Sequence, residues 1–129
     1  MVRYALPCMA CLVLTACSKS LTELEQVKAH NELIVITRNS PTTYFEGPDG
    51  PTGFEYELAK LFSEHIGVKL RVVVPANFSD ILPLTALGDA NFAAAGLTVT
   101  SKRERKVRFG PVYQEITPQL VYRLSLIHI

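Results

Sequence analysis

The sequence predicts an α/β fold: a mostly parallel sheet with flanking helices. Three observations carry the prediction. Apolar runs rich in β-branched residues recur at "ELIVIT", "VKLRVVV" and "NFAAAGLTV", and near-continuous apolar runs of this length are what buried parallel strands look like. Between the first two runs lies one helical stripe, formed by Phe54, Leu58, Ala59, Leu61, Phe62 and Ile66. Gly and Pro mark the junctions, so the order reads β-α-β-α-β, with helices on the faces of the sheet.

The elements follow in order. "SKSLTELEQVKAHN" is a tether with a short helix, because Leu21, Leu24 and Val27 recur every three residues and Ser20 with Glu23 reads as a capping box. "ELIVIT" is the first strand. The turn-rich stretch "RNSPTTYFEGPDGPTG" brings the chain back to a helix over 54–66, which Gly67 stops. "VKLRVVV" alternates and reads as a second strand closed by Pro75. Ser79 can cap a second helix through Leu87, with Pro83 near its first turn and Gly88 beyond its end. "NFAAAGLTV" is the third strand, "SKRERKV" a charged surface segment, and "RFGPVYQEITPQLVYR" a turn followed by a fourth strand.

The chain has 129 residues and a formal net charge of +1, enough for one small domain. Basic and acidic residues balance, which leaves no electrostatic footprint for nucleic acid. His30, His65 and His128 are isolated and no Cys/His cluster exists, so the sequence supports no metal site and no cofactor. "MVRYALPCMACLVLTAC" has one positive charge, a short apolar run and small residues at its end, the layout of a secretory signal peptide over 1–16. Leu14-Thr15-Ala16-Cys17 resembles a bacterial lipobox, which implies that Cys17 is acylated and becomes the mature first residue. Ser18 after it favours the outer membrane, periplasmic face. The remaining organisation reads as a tether over 17–31, a partial domain over 32–123, and a non-matching tail "LSLIHI" over 124–129.

In open parallel sheets, ligands sit in the crevice beyond the carboxyl ends of the strands. "RNSPTTYF" follows strand one and "GLTVTSKR" follows strand three, so both loops lie on one rim. Tyr44 either walls that rim or packs with Phe45 beneath its own loop.

"GFEYELAKLFSEHIGVKLRVV" and "AAGLTVTSKRERKVRFGPVY", with their spacing, resemble the first lobe of a family 3 bacterial solute-binding protein. The implied fold is the first lobe of a periplasmic-binding-protein type II domain, with the second lobe missing. Within that superfamily, "TRNSPTTYFEGPDGPTGFEYELAKLFSEHIGVKL" and "VYQEITPQLVYR" resemble the amino-terminal domain of the membrane-bound lytic murein transglycosylase F family. The resemblance implies a ligand site in which Tyr44 packs on the ligand. Gly96 and Thr98 offer it backbone groups and a hydroxyl, and Arg103 grips a carboxylate. A guanidinium suits that role because it can give two parallel hydrogen bonds; on charge pattern alone Arg103 is one of a solvated run. Arg38 and Asn39 stand where amino-acid binders often carry an acidic residue. This places Arg38 among the ligand-binding candidates and fits a small peptide or muropeptide better than a free amino acid. Asn91 stands where the family usually has Asp.

The function implied is a regulatory module that senses cell-wall products for a lipid-anchored peptidoglycan lytic transglycosylase. The alternative is an amino-acid-binding lipoprotein of an ABC transporter. Partners would be the ligand, the membrane through the lipid, and peptidoglycan through a catalytic domain absent from this sequence. No catalytic residues are expected here: Glu55 and Glu57 are two apart on a helix and point different ways. The chain alone is expected to release no anhydro-muropeptides.

Overall fold

The structure is a computed structural model and describes residues 20–121. Helix α1 (Glu23–His30) opens with a capping box between Thr22 and Glu25. The Glu25 carboxylate accepts from the Thr22 N–H at 2.7 Å, and the Thr22 hydroxyl accepts from the Glu25 N–H at 3.3 Å. The box expected at Ser20 and Glu23 is therefore displaced by two residues. Both pairs satisfy the same pattern; the observed register turns Val27 into the core and leaves Asn31 as a left-handed cap (φ 53°).

Strand β1 (Glu32–Ile36) follows, then a hairpin of β2 (Phe45–Gly47) and β3 (Gly50–Thr52). Next come helix α2 (Phe54–Ile66), strand β4 (Lys69–Val73), a 3-10 turn at Phe78–Asp80, helix α3 (Ile81–Leu87), strand β5 (Phe92–Ala93) and the short helix α4 (Ser101–Glu104). The three long-range strands form a parallel sheet in the order β4-β1-β5. The α/β prediction holds: β1 is the central strand, and its alternate side chains feed two cores. Leu33 and Val35 pack with Val27 and Ala59 on one face, while Ile36 packs with Ile81, Ala90 and Ala95 on the other.

Four local expectations need correction. Only part of the apolar stripe of α2 is buried: Ala59 is buried with Glu55 and Ser63 and Ile66 packs on the core, while Phe54, Leu58, Leu61 and Phe62 are exposed. Small side chains at Ala59 and Ser63 allow the helix to lie close to the sheet. Phe62 reaches only the rim of the core, edge-on to Phe92 at 6.3 Å. Ser79 does not cap α3. It lies inside the 3-10 turn, its hydroxyl bonded to the Asp80 carboxylate at 3.3 Å, and α3 begins without a side-chain cap. The third strand is two residues long, because the backbone turns away at Gly96 (φ 61°). Asn91 lengthens that pairing by exchanging bonds with both backbone groups of Ile34, its Oδ1 accepting at 2.8 Å and its N–H donating at 2.9 Å.

Lastly, the fourth strand is absent among the described residues. Residues 110–121 form no strand and are exposed, since alternation makes a strand only where a neighbour supplies hydrogen bonds. The signal peptide, Cys17, the end of the expected domain at 122–123 and the tail 124–129 lie outside the described residues.

Candidate ligand-binding rim

Three loops leave the carboxyl ends of the parallel strands, and the chain after β1 forms the middle of the rim. Ser40 organises it. Its carbonyl accepts from the N–H groups of Thr43 and Tyr44, both at 3.1 Å, and its own N–H donates to the Tyr44 carbonyl at 2.9 Å. The buried Thr43 hydroxyl donates to the Arg38 carbonyl at 2.6 Å and ties the loop to the strand end. Helix α2 is seated on the same loop: the Tyr56 N–H donates to the Thr43 carbonyl at 3.0 Å. Gly53, at φ 131°, makes this seating possible, because a Cβ there would lie 2.5 Å from the Thr43 carbonyl oxygen.

The loop presents Tyr44 half-buried, edge-on to Tyr56 at 5.6 Å, with its hydroxyl donating to the Glu46 carboxylate. That bond is the main cause of a raised Tyr44 pKa. Tyr44 is thus neither buried under its own loop nor free. It is held against α2 through Tyr56 and to the hairpin through Glu46.

Arg38 leaves the end of β1 between the other two loops. Its guanidinium lies over the Phe78 ring, 5.1 Å from the centroid, on the β4 side. On the β5 side it meets Gly96, where an added Cβ would come within 3.3 Å of Nη2. Its Nε is buried and has no hydrogen-bond partner. On the β5 loop, the exposed Thr98 uses its carbonyl to accept from Arg103 Nη1 at 2.8 Å. The Thr100 hydroxyl caps α4 by accepting from the Arg103 N–H at 3.4 Å. The cap and the Thr98 bond fix Arg103 against its own loop at one donor and leave the rest of its fork unbonded within the described residues.

The structure therefore brings the expected residues together in pairs, Arg38 with Gly96 and Thr98 with Arg103. Tyr44 stands on the neighbouring loop, with no hydrogen bond to Thr98 or Arg103. One expected group is already used. The Gly96 N–H donates to both oxygens of Glu55, at 2.9 and 3.0 Å, so it is not free for a ligand.

Tyr113 and Phe78 were not singled out from the sequence, and Glu55 entered only as half of a rejected catalytic pair with Glu57. Glu55 is 5% exposed, and its carboxylate also accepts from the Tyr113 hydroxyl. It clamps the β5 loop from the α2 side and pins the chain beyond α4. An acidic residue one position past the first residue of a helix looks like an ordinary dipole partner, and its real partners lie 41 and 58 residues away. Although Tyr113 as a residue is 58% exposed, partial burial of its hydroxyl end, followed by the bond to Glu55, raises its pKa well above the ordinary value of 10.0. A raised folded-state pKa adds stability that is full below pH 10 and is lost as pH rises through the folded value. Melting between pH 8 and pH 11 should show that loss, and Tyr113→Phe should make it smaller; an unchanged slope would contradict the clamp.

Among the described residues, no three His, Cys, Asp or Glu side chains are grouped to hold a metal ion, and no helix is long and apolar enough to cross a membrane.

Residues 33–125 match the bacterial extracellular solute-binding proteins, family 3. The chain belongs to that family. It is 50% identical over 106 residues to membrane-bound lytic murein transglycosylase F of Saccharophagus degradans, a match covering 82% of this chain and 21% of that protein. To the protein of the same name in Pseudomonas syringae pv. tomato it is 48% identical over 113 residues, covering 87% of this chain and 23% of the relative. The chain therefore spans about a fifth of these curated relatives, and the similarity falls in their amino-terminal region. Among solved structures, the arginine-bound form of domain 1 from TmArgBP superposes with a TM-score of 0.57 at 26% identity, covering 62% of this chain and 64% of that one. An ancestral cationic amino acid solute binding protein gives 0.66 at 30% identity, covering 72% and 41%. The chain shares the α/β fold of these amino-acid-binding proteins, with a parallel sheet and flanking helices.

Proposed function

We propose that this chain is the ligand-binding module of a longer, cell-envelope lytic transglycosylase, and that its rim takes a carboxylate-bearing, peptide-like product of the cell wall. The observation that carries the reading is the Arg103 fork, held beside Thr98 on the β5 loop, with the Arg38 guanidinium against Gly96 of the same loop. Family membership and the name shared by the relatives supply the context. The solved domain 1 of TmArgBP is described as arginine-bound, which supports ligand capture by a single lobe. Regulation of a catalytic domain by the captured ligand belongs to the same proposal.

The test is Arg103→Ala. Binding of alanyl-alanine to the intact protein should weaken by about 1.5–3 kcal/mol, the range for a hydrogen bond to a charged group. Arg103→Lys should recover part of the loss, because an ammonium lacks the planar fork. Equal affinities for wild type and Arg103→Ala would remove the carboxylate clamp.

The envelope location rests on "LTAC". We propose that Cys17 carries the lipid and holds the protein at the periplasmic face of the outer membrane. A single acyl chain anchors only marginally, so several chains are expected there. Metabolic fatty-acid labelling should mark the wild type and not Cys17→Ser; an unlabelled wild type would end this part of the account.

A second reading, an amino-acid-binding lipoprotein of a transporter, is favoured by the solved neighbours, which are described as arginine-bound or as binding cationic amino acids. Arg38 stands against it for a cationic ligand, since it places a positive charge on the rim. Tight binding of free arginine would favour this second reading.

A further inference from the structure

We propose that Arg38, stacked on Phe78 and facing Gly96, is a second anion subsite, and that the ligand is therefore a short peptide with two carboxylates rather than one. The inference rests on the ligand-binding reading of the rim and names the class of solute it selects.

The argument begins with what Arg38 lacks. Among the described residues the only ion pair is Arg71 with Glu32, and no hydrogen bond satisfies the Arg38 side chain. Its Nε is buried and orphaned. Stacking on Phe78 satisfies the face of the guanidinium but none of its N–H donors, which lie in the plane. A half-buried guanidinium with open in-plane donors is costly until an acceptor arrives, and a carboxylate matches the fork in geometry and charge.

Position supplies the rest. Arg38 sits at the end of the central strand, with Phe78 from the β4 loop on one side and Gly96 from the β5 loop on the other. All three belong to the rim where open parallel sheets hold their ligands. The absence of a side chain at Gly96 matters here, because an added Cβ would press within 3.3 Å of Nη2. Arg103 is tied to Thr98, two residues beyond Gly96, so both guanidinium groups are held against one short stretch of the β5 loop, whose Gly96 and Thr98 Cα atoms are at most about 7.6 Å apart. A dipeptide ending in an acidic residue carries two carboxylates, one for each guanidinium along that stretch. A ligand with a single carboxylate satisfies one guanidinium and leaves the other open.

The experiment compares alanyl-glutamate with alanyl-glutamine by NMR titration of the full chain, in wild type, Arg38→Gln and Arg103→Gln. The two probes differ only in the second carboxylate. Wild type should bind alanyl-glutamate about tenfold more tightly or better, the lower end of what one charged hydrogen bond gives. Arg38→Gln should abolish that preference, weakening alanyl-glutamate by far more than alanyl-glutamine. Arg38→Lys should keep part of the preference, which separates loss of charge from a fault in folding. Arg103→Gln should weaken both probes. If wild type binds the two equally, the second subsite is wrong and the carboxylate-binding reading stands. If wild type binds neither, both fall. A preference that survives Arg38→Gln assigns the second carboxylate to another residue and overturns the inference.

Discussion

Glu55→Ala is expected to destabilise the fold by about 3 kcal/mol, because it removes a buried acceptor and leaves two donors without partners. The Gly96 N–H and the Tyr113 hydroxyl both end on that carboxylate. The loss should be felt twice. The melting midpoint should fall, and the β5 loop, freed at Gly96, should no longer hold Arg38 and Thr98 in fixed relation. Glu55→Gln should cost less, since the amide keeps one acceptor oxygen but loses the charge and the second acceptor. Thermal melts of the three proteins check the order wild type, then Glu55→Gln, then Glu55→Ala. Equal midpoints for wild type and Glu55→Ala would show that the clamp carries no stability.

Gly53→Ala is expected to be as damaging by a different route. The residue adopts φ 131°, and the new methyl would lie 2.5 Å from the Thr43 carbonyl oxygen and 2.9 Å from the Tyr44 nitrogen. Both neighbours are backbone, so no side chain can swing away. Strain at the backbone and overpacking each cost about 1–3 kcal/mol, and the midpoint should drop by about 10 °C or more for a domain of this size. Where the protein still folds, the displaced loop carries Tyr44 with it, and ligand affinity should fall even though Gly53 touches no ligand. Gly50 has a positive φ of 113° but open space around it, so Gly50→Ala is the control for backbone strain without collision. A Gly53→Ala protein as stable as Gly50→Ala would contradict the seating of α2 on the Thr43 loop.

The parts of this fold that were legible in the sequence are those decided locally. The ends of α2 were legible because Gly67 supplies a left-handed stop and the apolar spacing is helical. The central strand was legible because "ELIVI" is apolar on both faces, as a strand covered on two sides must be. What depends on distant partners was not legible. The buried side of α2 is set by how closely Ala59 and Ser63 let the helix approach the sheet, while the larger residues of the same helix stay exposed. Glu55 reads as a surface acid until Gly96 and Tyr113 are brought to it from far along the chain. The expected strand after α4 fails for the same reason, since no described neighbour gives it a ladder.

The rim divides in the same way. Arg103 and Thr98 are five residues apart, and their pairing is local. Tyr44 could be placed on the loop after β1 from turn residues alone. The Arg38–Phe78 stack joins two loops that meet only because β4 and β1 are neighbours in the sheet, so Phe78 carried no signal that set it apart from an ordinary core aromatic.

The central claim is that the loops after β1 and β5 form one ligand site, and amide shift mapping tests it most directly. Titrating the 15N-labelled chain with alanyl-glutamate should move the resonances of residues 38–44 and 96–103 together, saturating along a single binding curve. Shifts confined to the charged segment 104–109 or to the outer edge of β4, with both loops silent, would contradict it.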